Sequence, residues 1–248
     1  RACLLNPNQA EHFYNLGLVL SDQNKLEDAE FAYREAAQLD KGHVGARNNL
    51  ANILQRLNRY VEALQEYENA LRIDPGYAPA LKNKADLLEQ SGQVEEAGRI
   101  YARTISVRPD GGSLIRDALL LPVIPESQGQ IEDYRARMDH KLNQLKGEKF
   151  KIEDPIHEVG GTNFLLAYHG LDDRDLQTKI ARLYREVAPS LTFETVHDHD
   201  LRSAMESEIL RIGFVSSFFF EHTVGRLMEA LIMGLSEYRV EIIIYSGS

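Results

Sequence analysis

Three asparagines recur at a fixed interval in the first half of the chain. Asn15, Asn49 and Asn83 are spaced 34 residues apart, and Asn52 and Asp86 each lie three residues beyond one of them. A carboxamide both donates and accepts hydrogen bonds, so a row of such groups can bind the backbone of an extended peptide whatever its side chains are. Asparagine is also a common polar choice on a helix surface. The spacing alone leaves both interpretations open.

A histidine near the end of the chain is the second group with chemical potential. His222 follows an apolar run with the pattern of a buried strand and precedes a segment with helical spacing. This is where open α/β sheets bind ligands, and a histidine there is suited to proton transfer near neutral pH. His222 can equally be a cap for the helix that begins at Thr223.

The other histidines are weaker candidates. The run at 197–200 (HDHD) alternates metal-ligand types but lacks the fixed spacing and supporting groups of a metal site, so we predict none there. His157 and His169 flank Gly160 and Gly161 without a nearby carboxylate or cysteine, and we expect them at the surface or at helix ends. The chain contains no P-loop and no GxGxxG motif.

The asparagines belong to a repeat with units 10–43, 44–77 and 78–111. Each unit has a small residue at its eighth position, alanine at its twentieth and tyrosine at its twenty-fourth: Gly17, Ala51, Ala85; Ala29, Ala63, Ala97; Tyr33, Tyr67, Tyr101. Large side chains facing small ones are typical of paired helices. Asn24, Asn58 and Gly92 tolerate the left-handed conformation that joins two helices. Each unit is therefore predicted to be a helical hairpin.

The period and the helix-turn-helix pattern resemble the tetratricopeptide repeat. Pro7, Pro75 and Pro109 close units in the expected place, whereas Lys41 stands where the first full unit should have proline. Arg47 and Lys84 stand where the family usually has an apolar residue, and Thr104 stands where it usually has alanine. Residues 1–9 have the pattern of a partial repeat, so we expect the chain to be a fragment.

The period stops after residue 111. Residues 112–210 have irregular helical spacing and are predicted to be a helical linker region. In 211–248 a strand pattern at 211–216, a helix pattern at 223–236 and a strand pattern at 240–245 predict a β-α-β unit. The predicted fold is mostly α, a tetratricopeptide α-solenoid followed by the linker and the start of a truncated α/β lobe.

The last forty residues carry a second resemblance. RIGFVSSFFFEHTVGRLMEALIMGL followed by VEIIIYS resembles the beginning of the catalytic region in SPINDLY-like O-linked N-acetylglucosamine transferases. TNFLLAYHG and DRDLQTKIARLY are similar to the segment before that region in bacterial members. Many relatives have aspartate where this chain has Phe218, and we expect the aromatic run there to pack rather than to contact substrate.

This resemblance implies a Rossmann-like GT-B lobe and a metal-independent transfer of sugar from a UDP-sugar, UDP-GlcNAc, to Ser or Thr hydroxyls. It implies that His222 lies in the catalytic cleft. It also implies that Asn15, Asn49 and Asn83 hold a protein or peptide acceptor in the concave groove of the repeats. Asn52, one helical turn beyond Asn49, is expected to extend this surface. The donor-binding lobe has no counterpart in the chain, so we expect this fragment to bind no cofactor and to be inactive. The alternative is a non-catalytic adaptor that mediates protein-protein interaction.

The composition of the chain excludes several classes of function. The chain has 248 residues and a formal net charge of −10, which argues against general binding to nucleic acid or to an anionic membrane. Its most apolar stretch, 212–235, is interrupted by charged residues and is not predicted to span a membrane. Cys3 is the one cysteine and is compatible with a reducing compartment. We therefore expect a cytoplasmic protein, with its oligomeric state open.

Overall fold

The computed structural model describes residues 10–160, 163–192, 210–216, 223–235, 238 and 240–245. By the density of contacts the chain divides after Thr192 into two compact units. The first unit contains the repeats and the helices that follow them, and the second contains the strands. His222 and the run at 197–200 lie outside the described residues.

The predicted hairpins are present as three pairs of helices. The pairs are α1 (Ala10–Asp22) with α2 (Leu26–Leu39), α3 (Val44–Arg56) with α4 (Tyr60–Ile73), and α5 (Ala78–Gln90) with α6 (Val94–Val107). The turns within the pairs have positive φ at Asn24 (59°), Asn58 (60°) and Gly92 (76°), which confirms the left-handed conformation predicted for them.

One tyrosine is buried in the core of each hairpin. Tyr33, Tyr67 and Tyr101 on the second helices are at most 1% exposed. The small residue at the eighth position of the first helix makes room for this ring, and Ala51 and Ala85 there are fully buried. Burial of the large ring against small neighbours excludes water from both helices and stabilises their pairing.

The linker region continues the first unit with further helices. They are α7 (Gly111–Leu119), α8 (Gln128–Leu145), α9 (Pro155–Glu158) and α10 (Arg174–Val187), with 3₁₀ segments at Asn163–His169 and Pro189–Thr192. Ile115, Met138, Leu142 and Leu183 belong to a second apolar core shared by these helices. Irregular sequence spacing thus corresponds to a compact packing of helices rather than to an extended connection.

The glycine pair at which the repeat pattern stops is the beginning of α7. Asp110 caps this helix, because its Oδ1 accepts a hydrogen bond from the backbone N–H of Ser113 at 2.9 Å. A Cβ atom at Gly112 would lie 2.5 Å from the backbone oxygen of Glu158, and one at Gly111 would lie 2.7 Å from Ile152 Cδ1. Close backbone packing therefore requires glycine at position 112, whereas the two nearest atoms to Gly111 belong to side chains.

The second unit contains β1 (Leu210–Val215), α11 (Thr223–Leu235) and β2 (Val240–Tyr245). The two strands are parallel, with Leu210 opposite Val240 and Val215 opposite Tyr245. The predicted strand, helix and strand are thus present. The two strands pair in a small parallel sheet, and the helix connects them in chain order. This arrangement does not confirm the larger GT-B lobe. None of the described helices combines the length and the apolar character needed to cross a bilayer.

The space around Gly17 allows a test of the tyrosine packing. A Cβ at Gly17 would lie 2.6 Å from Cε1 of the buried Tyr33 ring. We expect Gly17→Ala to lower the free energy of unfolding by about 1 kcal/mol, because overpacking costs about 1–3 kcal/mol and the helix propensity of alanine offsets up to about 1 kcal/mol. Urea denaturation of the two proteins measures this difference.

Gly98→Ala is the matched control. Its Cβ would meet Leu120 Cδ2 at 3.4 Å, an ordinary contact, so alanine is expected to stabilise α6 by up to about 1 kcal/mol. A Gly17→Ala protein as stable as the Gly98→Ala protein would contradict the proposed role of the ring.

Candidate functional site

The asparagines lie on the first helices of the three hairpins. Asn15 on α1 is exposed, and Asn49 on α3 and Asn83 on α5 are partly buried. Asn49 Nδ2 donates to the Tyr14 hydroxyl at 3.3 Å. Asn83 Nδ2 donates to Asn48 Oδ1 at 3.2 Å and to Asn52 Oδ1 at 3.0 Å.

Asn48 joins these side chains into one network. It is 4% exposed, and its Nδ2 donates to Asn49 Oδ1 at 3.1 Å while its own Oδ1 accepts from Asn83. We call Tyr14, Asn48, Asn49, Asn52 and Asn83 the amide network. It spans all three hairpins, because Tyr14 lies on α1, the middle members lie on α3 and Asn83 lies on α5.

The buried tyrosine of the second hairpin orients one member of the network. The Tyr67 hydroxyl donates to Asn52 Oδ1 at 2.6 Å and lies 3.2 Å from Gln55 Oε1. Burial raises the pKa of Tyr67, so the hydroxyl keeps its proton at all physiological pH values. Since Asn52 Oδ1 accepts from both Tyr67 and Asn83, its amide nitrogen is directed away from these two groups.

Part of the hydrogen-bonding capacity of the row is unused. Asn52 Nδ2 and Asn83 Oδ1 have no hydrogen-bond partner among the described residues, and the exposed Asn15 makes no side-chain hydrogen bond to them. Both a donor and an acceptor are therefore available next to groups that are held in place. This is the combination that a peptide backbone, which also carries one donor and one acceptor per residue, can use.

The corresponding place in the third hairpin is acidic. The Tyr101 hydroxyl lies 2.7 Å from Asp86 Oδ1 and 2.6 Å from Glu89 Oε2. Arg116 on α7 approaches the same carboxylates, with Nη1 3.1 Å from Asp86 Oδ1 and 3.7 Å from Glu89 Oε2. Burial raises the pKa of both Asp86 and Glu89, against the opposing effects of Arg116 and Tyr101. Asp86 is therefore part of an internal ion cluster.

Two residues of this surface do not follow the repeat pattern. Asn48 does not recur at the repeat interval, although its spacing of four from Asn52 places both on one face of α3. Arg116 lies beyond the unit 78–111, and nothing in the sequence indicates that it reaches back to Asp86.

The surroundings of His157 and His169 differ from those expected from the sequence. His157 lies at a helix end and is exposed as predicted, but its Nδ1 is 2.6 Å from Asp154 Oδ2, so the prediction that no carboxylate lies beside it was wrong. His169 is only 7% exposed, and burial followed by the charge of Arg135 lowers its pKa. The described residues contain no group of three or more potential metal ligands.

A cleft between α6 and α8 is a separate feature of the first unit. It has a volume of about 620 Å³. Asp117 in its wall is paired with both Arg137 and Lys141, and the Tyr134 hydroxyl donates to Glu95 at 3.0 Å. These charged and polar groups bind one another, and none of the cleft residues belongs to the amide network. The network is therefore the stronger candidate for ligand binding.

Two family models match the hairpins. Both describe the tetratricopeptide repeat, one over residues 14–78 and the other over residues 56–119. Residues 14–119 are tetratricopeptide repeats. Neither model describes a glycosyltransferase, so the resemblance of the last forty residues to such enzymes stays a prediction. No curated protein sequence matches the chain.

Solved structures of other repeat proteins are similar to the chain. MamA has 19% identity and a TM-score of 0.50 over 58% of this chain and 83% of that one. PilF of Pseudomonas aeruginosa has 21% identity and a TM-score of 0.48 over 58% and 63%. The first repeat domain of Spaghetti (RPAP3), bound to an HSP90 peptide, has 17% identity and a TM-score of 0.41 over 53% and 92%. At these identities the likeness to MamA shows the fold of the repeats alone.

The acidic cluster of the third repeat predicts a pH dependence. Because burial raises the pKa of Glu89, the folded protein binds this proton more tightly than the unfolded chain does. The contribution of Glu89 to stability is therefore highest at low pH and falls as pH rises from 4.5 through the raised pKa. We expect Glu89→Gln to be more stable than wild type at pH 7, with the difference vanishing at acidic pH.

Urea denaturation between acidic and neutral pH measures this effect. Glu148→Gln, at an exposed position outside the cluster, is the matched control and should leave the pH dependence unchanged. A Glu89→Gln stability curve parallel to that of wild type at every pH would rule out the proposed effect of burial.

Proposed function

We propose that the tetratricopeptide repeats bind an extended segment of a partner protein along the face formed by α1, α3 and α5. The observation that carries this proposal is the unused donor at Asn52 and the unused acceptor at Asn83, held in place by the amide network. Stacked helical repeats create extended concave surfaces of this kind, and they commonly use them for binding.

The network lowers the cost of binding by restricting the side chains beforehand. Asn83 already donates hydrogen bonds to both Asn48 and Asn52, so little side-chain entropy is lost when a peptide binds. Hydrogen bonds to the peptide backbone do not depend on side chains, so this surface favours a class of extended segments rather than one sequence. The net charge of −10 slightly favours segments with basic residues.

Joint replacement of the recurring asparagines tests the peptide-binding role. We expect the combined substitutions Asn15→Ala, Asn49→Ala and Asn83→Ala to weaken binding to peptides selected by the wild-type protein from a synthetic peptide array. The expected loss is about tenfold or more, since each hydrogen bond contributes about 0.5–1.5 kcal/mol. Affinity is measured by fluorescence anisotropy, with circular dichroism to show that the variant is folded.

The matched control replaces three exposed amides on α8, by Gln128→Ala, Asn143→Ala and Gln144→Ala. These changes remove the same chemical groups from a surface outside the amide network and should leave affinity unchanged. Wild-type affinity in the folded asparagine variant would show that Asn15, Asn49 and Asn83 are ordinary surface residues.

A second candidate function is protein O-glycosylation, in which the repeats recruit acceptors for a catalytic region that includes residues 211–248. It is supported by the parallel pairing of β1 with β2, which α11 connects in chain order, together with the sequence resemblance of this segment. In this proposal His222 belongs to the catalytic cleft, and the donor is a UDP-sugar such as UDP-GlcNAc. The peptide-binding role does not depend on it.

Sugar transfer tests the second candidate. With the longest natural form of the protein and radiolabelled UDP-GlcNAc, we expect label to enter protein acceptors and His222→Ala to reduce the rate strongly, because proton transfer by a positioned side chain contributes about 10²–10⁴-fold. His157→Ala, which changes an exposed histidine in the linker, is the control. Wild-type rates in the His222→Ala protein, or no transfer by wild type, would contradict this proposal.

A further inference from the structure

A basic pocket lies where the first repeat joins the second. It has a volume of about 350 Å³ and is lined by Lys41, Arg47, Asn69, Arg72 and Ile73. None of these residues belongs to the amide network. Three cationic side chains converge here in a chain whose net charge is −10, so the charge of the pocket lining is opposite in sign to that of the protein as a whole.

Two of the cations stand at positions where the repeat pattern predicts another residue type, a proline in one case and an apolar residue in the other. Lys41 stands where the next two units have Pro75 and Pro109. Arg47 stands where the third unit has Leu81, which is fully buried, and the Arg47 side chain is itself only 20% exposed. These are separate departures in the sequence, 6 residues apart, and the fold brings them into one pocket.

The partner of Arg47 departs from the pattern as well. Arg47 Nη1 lies 3.0 Å from Glu66 Oε2, and the third repeat has Ile100 at the position of Glu66. An ion pair thus stands where the third repeat has two buried apolar residues, Leu81 and Ile100. Such a pair is a weak source of stability, because removing its charges from water offsets their attraction. Packing alone therefore gives no reason for this substitution.

The pocket has donors that the protein leaves without an acceptor. Arg47 Nε is buried and has no hydrogen-bond partner among the described residues. Arg72 donates from Nη1 to Asn69 Oδ1 at 2.9 Å, and neither Arg72 nor Lys41 forms an ion pair with the residues that the structure describes. The residues that line the pocket carry three positive charges and no negative one, and Glu66 next to Arg47 is the one carboxylate that pairs with them among the described residues.

We propose that this pocket binds a phosphate group as a dianion, either free phosphate or a phosphomonoester. Three positive side chains in the lining favour a doubly charged anion over a singly charged one. Guanidinium groups bind phosphate oxygens through paired N–H donors, and the unused Nε of Arg47 is such a donor. The volume of about 350 Å³ holds a phosphate together with part of the molecule that carries it.

Calorimetric titration of the chain with inorganic phosphate, at constant ionic strength and pH 7, tests the proposal. Free phosphoserine and acetate are titrated in parallel. We expect saturable binding of phosphate and at least tenfold weaker binding of acetate, because acetate carries a single charge. Tighter binding of phosphoserine than of phosphate would assign the site to a phosphorylated side chain, and the reverse would assign it to the free ion.

Substitutions taken from the third repeat separate binding from folding. Arg47→Leu combined with Glu66→Ile introduces the buried apolar residues that the third repeat has at these positions, Leu81 and Ile100, so this double variant is expected to fold and to lose phosphate binding at least tenfold. Arg72→Gln should weaken binding while leaving the buried residues unchanged. Arg185→Gln, at an exposed position on α10, is the control and should bind as wild type does.

Three results would overturn the proposal. They are the absence of saturable phosphate binding by wild type, equal affinity for acetate, and wild-type affinity in both the Arg47→Leu/Glu66→Ile and Arg72→Gln proteins. The titrations use no peptide, so a failure here leaves the proposed peptide-binding face untouched.

Discussion

The first unit depends on the burial of one tyrosine ring in each repeat. Tyr33, Tyr67 and Tyr101 fill the space between paired helices, and the small residue opposite each ring lets the helices approach. The same packing fixes the position of the hydroxyl group at the end of each ring. In the second and third repeats it reaches the first helix, so the core that holds the hairpin together also orients polar groups on the face formed by the first helices.

This coupling of core and surface explains how repeats with one backbone present different chemistry. The hydroxyl of Tyr67 meets the amides of Asn52 and Gln55, whereas that of Tyr101 meets the carboxylates of Asp86 and Glu89. The position of the tyrosine ring is the same in both repeats. The residues of the first helix that its hydroxyl contacts are amides in the second repeat and carboxylates in the third. The surface therefore changes from neutral to acidic along the array without a change in packing. Arg116 on α7 compensates the acidic end.

The sequence predicts features that repeat and misses those that do not. Period, hairpins and left-handed turns follow from residues that recur, such as Asn24, Asn58 and Gly92, because their conformations are local. Asn48 and the pairing of Arg47 with Glu66 occur in one repeat only, and their partners are set by distances between helices. A single sequence carries no direct record of those distances, so the amide network and the basic pocket are visible only in the folded structure.

The glycine pair at the start of α7 limits how the array can grow. Residues 150–158 pack against Gly111 and Gly112 so closely that even one methyl group at Gly112 would overlap the Glu158 backbone. A duplicated repeat inserted directly after Asp110 would separate this contact from the third repeat and would have to recreate the fit of Arg116 to Asp86. Duplication between the first and second repeats leaves that junction intact. Lengthening of the array by duplication is therefore easier upstream of the third repeat than downstream of it.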